Sequence, residues 1–336
     1  MERVQNPNSF FFSKIHISGL AKNNEGSGMT LNVPRVIPNP PKQPESGWST
    51  LAKDNWALIH EFERRHTGSS PLPQQDELEL SLTIGNEPMH EGRNANVYAV
   101  EKATVRRSSD GSTPSYASSL PPLVAKIAHE RNGENVYKEA QMYSLLQSLQ
   151  GVIVPRCYGY YRDFVNLQET SIIPWSPEEE FPRSETTFNI FQMPNTRASL
   201  NIVLLERLGE PPRRSKSAPP GLREQWVDMV KILVALGIYH ADLTPVNIVE
   251  ATPLSASEAV YKPPSLTLPS GDECEVGRYD WRLIDFEAAS LVGTTGMKRH
   301  AAHHVYMVNH LIDHDFGRGG DEDTEEEGQR TDGNEN

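Results

Sequence analysis

Three polar residues in the second half of the chain have types and spacing that suit phosphoryl chemistry. The sequence reads H-A-D-L-T-P-V-N from position 240 to 247, so that Asp242 and Asn247 stand five positions apart, and Asp285 follows a short apolar run. Phosphoryl transfer needs one carboxylate to orient the attacking hydroxyl and further oxygen ligands to hold the metal that screens the phosphates. We therefore predict that these oxygens converge from neighbouring strand ends.

A cation and a carboxylate upstream fit the same chemistry. Lys126 lies in the apolar run 123–128, which has the composition of a short strand, and Glu139 lies in the helical pattern that follows it, from 134 to 149. A lysine is a compact cation on a long stem that can reach a phosphate, and it needs a carboxylate to hold it in place. We expect Glu139 to be that carboxylate.

The elements that must position these residues follow from periodicity and from breakers. Alternating apolar residues predict a strand at 78–84, and three- and four-residue steps predict helices at 222–236, which leads to His240, and at 298–312. We predict a disordered leader at 1–48, an amphipathic helix at 49–68, a β-rich part at 77–206, a helical part at 207–316 with an inserted loop at 251–280, and an acidic disordered tail at 317–336.

Composition limits the class of protein. The net charge of -13 is partly concentrated in the acidic tail, so nucleic acid is not expected as a partner. Two cysteines, Cys157 and Cys274, make no disulfide framework and indicate a reducing compartment. No apolar stretch is long enough for a membrane span and no secretory signal is recognised, so we expect a soluble intracellular protein, in either cytosol or nucleus.

Taken in order, these motifs resemble the protein kinase-like superfamily over roughly residues 78–312. The strongest is H-x-D-L-x-x-x-N at 240–247, and it is followed by Ile284-Asp285-Phe286. The resemblance implies an α+β, two-lobed protein kinase-like fold with a β-rich N-lobe, one helix in that lobe and a reduced helical C-lobe, like that of compact atypical kinases. It also implies ATP and Mg²⁺ as cofactors.

The resemblance assigns roles residue by residue. Asp242 would be catalytic, Lys126 and Glu139 would position phosphates, and Asn247 and Asp285 would hold the metal. His240 would support the loop. The residues that the resemblance places around the nucleotide are Gly92, Ala95, Val97, Ala125, Lys126, Leu205, Glu206 and Leu208, the last two through the backbone groups of a hinge.

Three positions depart from the family pattern. Gly92 is alone where three glycines are expected, Ala241 replaces an arginine, and Glu287 replaces the glycine after Asp-Phe. Glu287 could help to hold a metal, or could repel the phosphates and stiffen the turn. Three functions stay open: a phosphotransferase acting on a protein Ser/Thr hydroxyl, a pseudokinase that binds nucleotide or serves as a scaffold, and a small-molecule kinase. The sequence names no protein substrate or binding partner.

Overall fold

Among the regular elements of the described residues, strands contain more residues than helices do. A computed structural model of the protein describes residues 12–39, 78–114, 120–175, 197–213, 218–252, 265–267, 273–275, 277, 279–292 and 294–316. Within these ranges it contains fifteen strands, three α-helices and several short 3-10 turns. The predicted α+β class is confirmed.

The bounds of the elements are as follows. The strands are β1 Lys14–Asn23, β2 Gly28–Val36, β3 Leu78–Ile84, β4 His90–Glu91, β5 Ala95–Arg107, β6 Leu123–Ala128, β7 Cys157–Asn166, β8 Thr170–Ile172, β9 Arg197–Glu206, β10 Ile238–Tyr239, β11 Ile248–Glu250, β12 Ser265–Thr267, β13 Glu273–Glu275, β14 Trp281–Leu283 and β15 Ser290–Leu291. The helices are α1 Gly133–Leu145, α2 Leu222–Ala235 and α3 Thr294–Phe316.

The predicted disordered leader is wrong for residues 12–39. This segment forms an antiparallel hairpin of β1 and β2, in which Ile15, Ile17 and Val33 are fully buried. The apolar residues of β1 alternate and so share one face, and the asparagine- and glycine-rich stretch between the strands is the turn. Residues 1–11 and 40–48, and the helix predicted at 49–68, lie outside the described residues.

This hairpin closes the large sheet on itself. The strands follow the order β2-β7-β9-β6-β5-β3-β1, and β1 also pairs with β2. The pairing of β1 with β3 is parallel, whereas β2 meets β7 in antiparallel register at Arg35 and Val36. A closed sheet has no free edge along this ring, and its interior must be filled by side chains. The hairpin therefore completes a β-barrel.

The interior of the barrel is an apolar cluster. Its fully buried members include Phe12, Ile15, Ile17, Leu20, Leu80, Ala125, Ile127, Tyr161, Leu200, Ile202 and Leu204. Polar residues occupy the outer face of β1 and β3, where Lys14 Nζ lies 2.9 Å from Glu79 Oε1. The hydrogen bond from Lys14 lowers the pKa of Glu79 to about 2. One strand thus alternates between a dry interior and a charged exterior.

A second apolar cluster joins the outer face of the barrel to the helices. It contains side chains from α1, α2 and α3, among them Tyr143, Trp226 and Val308. Arg223 of α2 donates to Asn309 Oδ1 of α3 at 2.9 Å and also binds Asp313, so the two helices are held together at their surface. The segment that carries Asp285 contacts both the barrel and α1, since Asp285 binds Lys126 of β6 and Phe286 packs against Tyr143 of α1.

The predicted inserted loop contains a short pair of strands. Residues 251–280 were predicted to lack regular structure, but β12 and β13 within this span pair as a short antiparallel ladder. The acidic tail at 317–336 lies outside the described residues. None of the helices in the described ranges has the length and apolar composition that a membrane crossing requires.

Candidate active site

Lys126 is the centre of the site. Its Nζ lies 2.7 Å from Glu139 Oε2 on α1 and 2.6 Å from Asp285 Oδ1, which follows β14. Only 12% of the Lys126 side chain and 1% of the Glu139 side chain are exposed. The three residues come from separate elements, so the ion pairs join the barrel, α1 and the Asp285 segment. The predicted pairing of Lys126 with Glu139 is present in the structure.

The charges of this cluster do not balance. Burial by itself would lower the pKa of Lys126, but Glu139 and Asp285 raise it above its usual range. Burial raises the pKa of Glu139, and Lys126 opposes that rise. A third carboxylate, Glu287 Oε2, lies 3.9 Å from the same ammonium. Three carboxylates around one lysine leave an excess of negative charge, and this suits a divalent cation.

Asp285 has an unusual backbone. Its φ of 63° and ψ of 64° make it the one non-glycine residue with positive φ in the described ranges. Such a conformation costs on the order of 1–3 kcal/mol and persists only where the surroundings hold it. Here the fully buried ring of Phe286 packs edge-on against Tyr143 and His240, with ring centroids 5.6 Å and 4.7 Å apart. The carboxylate is therefore aimed at Lys126 by a fixed backbone.

His240 links the 240–247 loop to the Asp285 segment. Its Nε2 donates to the Ile284 carbonyl at 2.9 Å, and its ring is buried. Burial lowers the pKa of His240, so the ring is neutral near pH 7 with its proton on Nε2. His304 of α3 in turn donates from Nε2 to the His240 carbonyl at 3.2 Å, and burial lowers the pKa of His304 to about 4. Both histidines act as structural donors, as the sequence predicted for His240.

Asp242 and Asn247 form one unit. Asn247 Nδ2 donates to the Asp242 main-chain carbonyl and to Asp242 Oδ2, both at 3.0 Å. Because both acceptors are oxygens, the amide nitrogen must face Asp242, and Asn247 Oδ1 is the atom left for a cation. The Ile284 N–H donates to the Asn247 carbonyl at 3.0 Å, which brings this unit beside Asp285. Asp242 itself is exposed and accessible to an acceptor.

The donor set suits magnesium better than a metal held by protein alone. In the described part of the chain no group of three or more His, Cys, Asp or Glu side chains forms a complete metal site. Magnesium usually keeps several waters and binds through one or two carboxylates together with substrate phosphates. Asp285 and the Asn247 amide oxygen fit that pattern.

The apolar slot beside Lys126 is only partly as predicted. Leu205, Ala95 and Val97 lie in or against the cluster that covers the outer face of the barrel, on the Lys126 side. Ala125 was expected there, but it is fully buried inside the barrel. The prediction was wrong because alternate residues of a strand face opposite sides, so Val124 shares the face of Lys126. Val124 pairs with Leu205 and is the residue that sequence reasoning missed.

Two N–H groups of the predicted hinge are paired within the protein. The Glu206 carboxylate accepts from the Arg156 N–H at 2.9 Å and from Arg156 Nη1 at 2.7 Å, and Glu206 is buried. The Glu206 N–H donates to the Arg156 carbonyl and the Arg207 N–H to the Pro122 carbonyl, so neither is free for a ligand. No backbone carbonyl in the described ranges accepts from Leu208. The side chain of Glu206 therefore has a structural role, and the Leu208 N–H and the Glu206 carbonyl are the backbone groups that could still make the predicted hinge contact.

Gly92 is required by its surroundings. Its N–H donates to the Ala95 carbonyl at 3.0 Å in the tight turn between β4 and β5. A Cβ at this position would lie 2.7 Å from the Ala95 oxygen, closer than side-chain carbons approach an oxygen. The turn therefore tolerates only glycine at position 92. The neighbouring Asn94 contacts Glu287, a contact that sequence reasoning did not foresee.

Comparison with known proteins gives distant similarity only. No family model and no curated protein matches the chain. Solved structures to which it is similar include the Rio2 kinase from Chaetomium thermophilum, alone and as an ADP/Mg²⁺-phosphoaspartate complex. These have TM-scores of 0.37 and 0.36 at 12% identity, covering 86% of this chain and 70% and 68% of those chains. WaaP in complex with acyl carrier protein is similar with a TM-score of 0.29 at 12% identity, covering 70% of this chain and 79% of that chain.

Proposed function

We propose that the protein is an ATP- and Mg²⁺-dependent phosphotransferase with a two-lobed protein kinase-like fold. The barrel and α1 would form the N-lobe, from the predicted span 77–206 together with the β1–β2 hairpin, and the hinge with α2 and α3 would form the short C-lobe at 207–316. One observation carries the proposal: Lys126 binds Glu139 and Asp285 together, beside the Asp242–Asn247 unit. A cation, a carboxylate that could bind a metal and an exposed carboxylate on neighbouring segments are the parts that phosphoryl transfer uses.

Each residue of the site would have its own role in the reaction. Lys126, held by Glu139, would contact the phosphates of the nucleotide, and Asp285 with Asn247 Oδ1 would hold Mg²⁺. When bound, Mg²⁺ neutralises the charge that the phosphates carry and develop. The exposed Asp242 carboxylate would orient the acceptor hydroxyl and take its proton as the new oxygen–phosphorus bond forms and the bond to the leaving ADP oxygen breaks.

We propose a protein Ser/Thr hydroxyl as the acceptor. The exposure of Asp242 supports this acceptor, because a hydroxyl side chain on another protein can approach an exposed carboxylate. A pseudokinase is the second candidate, because Glu287 adds a carboxylate within 3.9 Å of Lys126 that could oppose phosphate binding.

Thermal unfolding with and without Mg-ATP tests the nucleotide site. At a ligand concentration of about 100 times Kd, binding stabilises the native state by about 2.7 kcal/mol and raises the unfolding midpoint. We expect this rise in the wild-type protein and not in Lys126→Met or Asp285→Asn. Lys14→Met is the matched control, because Lys14 also pairs with a carboxylate but on the outside of the barrel hairpin.

The midpoint of each variant without nucleotide shows whether it is folded. An equal rise in Lys126→Met, or no rise in the wild-type protein, contradicts the proposed nucleotide site. A rise in the wild-type protein without phosphate transfer to any acceptor or to water supports the pseudokinase.

A further inference from the structure

The turn between β4 and β5, residues 92–94, is held from one side by the connection between β6 and α1. His129 Nε2 lies 2.9 Å from the Gly92 carbonyl, and the His129 N–H donates to the Asn94 carbonyl at 3.0 Å. Asn132 Nδ2 donates to the Arg93 carbonyl at 3.3 Å. All three carbonyls of the turn therefore have a partner in the connection.

From the other side a side-chain contact reaches the turn. Asn94 Nδ2 donates to Glu287 Oε1 at 2.6 Å, across 193 positions of sequence. Glu287 is two residues after Asp285, and 21% of its side chain is exposed. A hydrogen bond to an ionised carboxylate in a partly buried place is stronger than one between neutral groups. This bond joins the turn to the segment that carries Asp285.

The Asn94–Glu287 contact could position a turn that has fewer glycines than a phosphate-binding loop usually has. A loop that approaches phosphates closely usually relies on several glycines, and here Gly92 is alone, with His90 and Ala95 at the other expected places. Such a loop cannot settle around a ligand by backbone freedom alone. Its position has to be set by contacts, and Asn94 is the residue of the turn whose side chain supplies one toward Asp285.

In this structure Glu287 is closer to Asn94 than to Lys126 and forms a hydrogen bond only with Asn94 of the two. Its Oε1 is engaged by the Asn94 amide, while its Oε2 is 3.9 Å from Lys126 Nζ and thus beyond hydrogen-bond distance. Asp285 already occupies the near position at 2.6 Å. Glu287 is therefore placed to accept a hydrogen bond from the turn.

We propose that Asn94 and Glu287 are a positioning pair, whose hydrogen bond holds the 92–94 turn against the Lys126–Asp285 cluster at the distance that the phosphates of a nucleotide require. The proposal rests on the proposed function, since it names the residues that place the loop of that same site. It also assigns Glu287, the departure from the family pattern, to loop placement.

A donor and acceptor exchange tests the pair. Asn94→Asp removes the donor and sets two carboxylates against each other, whereas Glu287→Gln keeps an oxygen that can accept from Asn94. In the double variant Asn94→Asp with Glu287→Gln, the new amide can donate to the new carboxylate, so the bond is restored with its polarity reversed. The side chains keep their sizes throughout.

Two readouts are measured on each full-length protein. The first, without nucleotide, is the hydrogen-exchange protection of the Gly92 amide, which donates to the Ala95 carbonyl. The second is the apparent Kd for Mg-ATP. For the loss of a bond to a charged group we expect Asn94→Asp to lower the protection and raise the Kd, each by about tenfold. Glu287→Gln should stay within about threefold of wild type, and the double variant should recover most of both losses.

Two results would overturn the proposal. One is a double variant as impaired as Asn94→Asp, since the exchange would then have restored nothing. The other is a Glu287→Gln variant that loses nucleotide binding while the Gly92 amide stays protected, since Glu287 would then act through its charge. If the wild-type protein does not bind Mg-ATP, the proposed function fails, and hydrogen exchange alone decides whether the pair holds the turn.

Discussion

The two faces of β6 have different surroundings, one apolar and one charged. Ala125 and Ile127 point into the closed barrel, where the cluster of buried side chains is apolar. Val124 and Lys126 point outward, toward α1 and the carboxylates of Glu139 and Asp285. Because a strand alternates its side chains, fixing one face fixes the other. The barrel is therefore the part that sets where Lys126 stands.

The N-terminal hairpin supports the site indirectly, through the elements that carry Lys126 and Glu139. Among the described strands, β1 and β2 are the ones that close the barrel, and without them β3 and β7 would each expose an edge. Residues beyond β2 also reach α1, since Gln141 Nε2 donates to the Asn39 carbonyl at 2.6 Å and the Asn39 N–H to the Tyr137 hydroxyl at 3.0 Å. The hairpin thus supports both elements that hold the ion pair of Lys126.

The largest expected effect comes from a cavity inside the barrel. Ile17 is fully buried between Leu31 and Leu82 in the sheet, so Ile17→Ala removes packed methyl groups from a closed interior. We expect a loss of about 2–5 kcal/mol in the free energy of unfolding, measured by chemical denaturation. Ile37→Ala is the control, because Ile37 is 58% exposed and its truncation should cost less than about 0.5 kcal/mol. Equal losses in the two variants would show that the hairpin does not belong to the core.

Substitutions on the two faces of β6 should have smaller and different effects, one on nucleotide affinity and the other on stability. Val124→Phe enlarges a side chain on the Lys126 face, in the slot next to Leu205, and we expect it to raise the apparent Kd for Mg-ATP by about tenfold or more. Ala125→Val adds volume inside the barrel and should lower stability by about 1–3 kcal/mol while leaving the Kd within about twofold. Titration calorimetry and denaturation on both variants give the two quantities. The reverse pattern would place Ala125, rather than Val124, in the slot.

The sequence was most informative where the chemistry is local. The 240–247 string keeps Asp242 and Asn247 within hydrogen-bond reach because a short turn at Pro245–Asn247 joins them, and this spacing can be read without a fold. Lys126 and Glu139 were also paired correctly. They lie on consecutive elements, so few arrangements were possible.

Predictions failed where distant parts of the chain decide. The face of Ala125 is an exception, because the alternation of β6 alone places Ala125 opposite Lys126. The hairpin itself was missed because asparagine and glycine outweighed the short alternation around Ile15 and Ile17. The Asn94–Glu287 bond could not be foreseen, since nothing in either local sequence indicates the other.

The most direct test of the account is the transfer of labelled γ-phosphate from Mg-ATP, to water or to the protein itself, by the wild-type chain and by Asp242→Asn. The asparagine can still accept from Asn247, so the loop and nucleotide binding should be kept, as judged by the thermal shift. We predict measurable turnover in the wild-type protein and a loss of about 10²–10⁴-fold in the variant, the range for removal of a general base. Equal rates in the two proteins, with nucleotide bound by both, would contradict catalysis at Asp242.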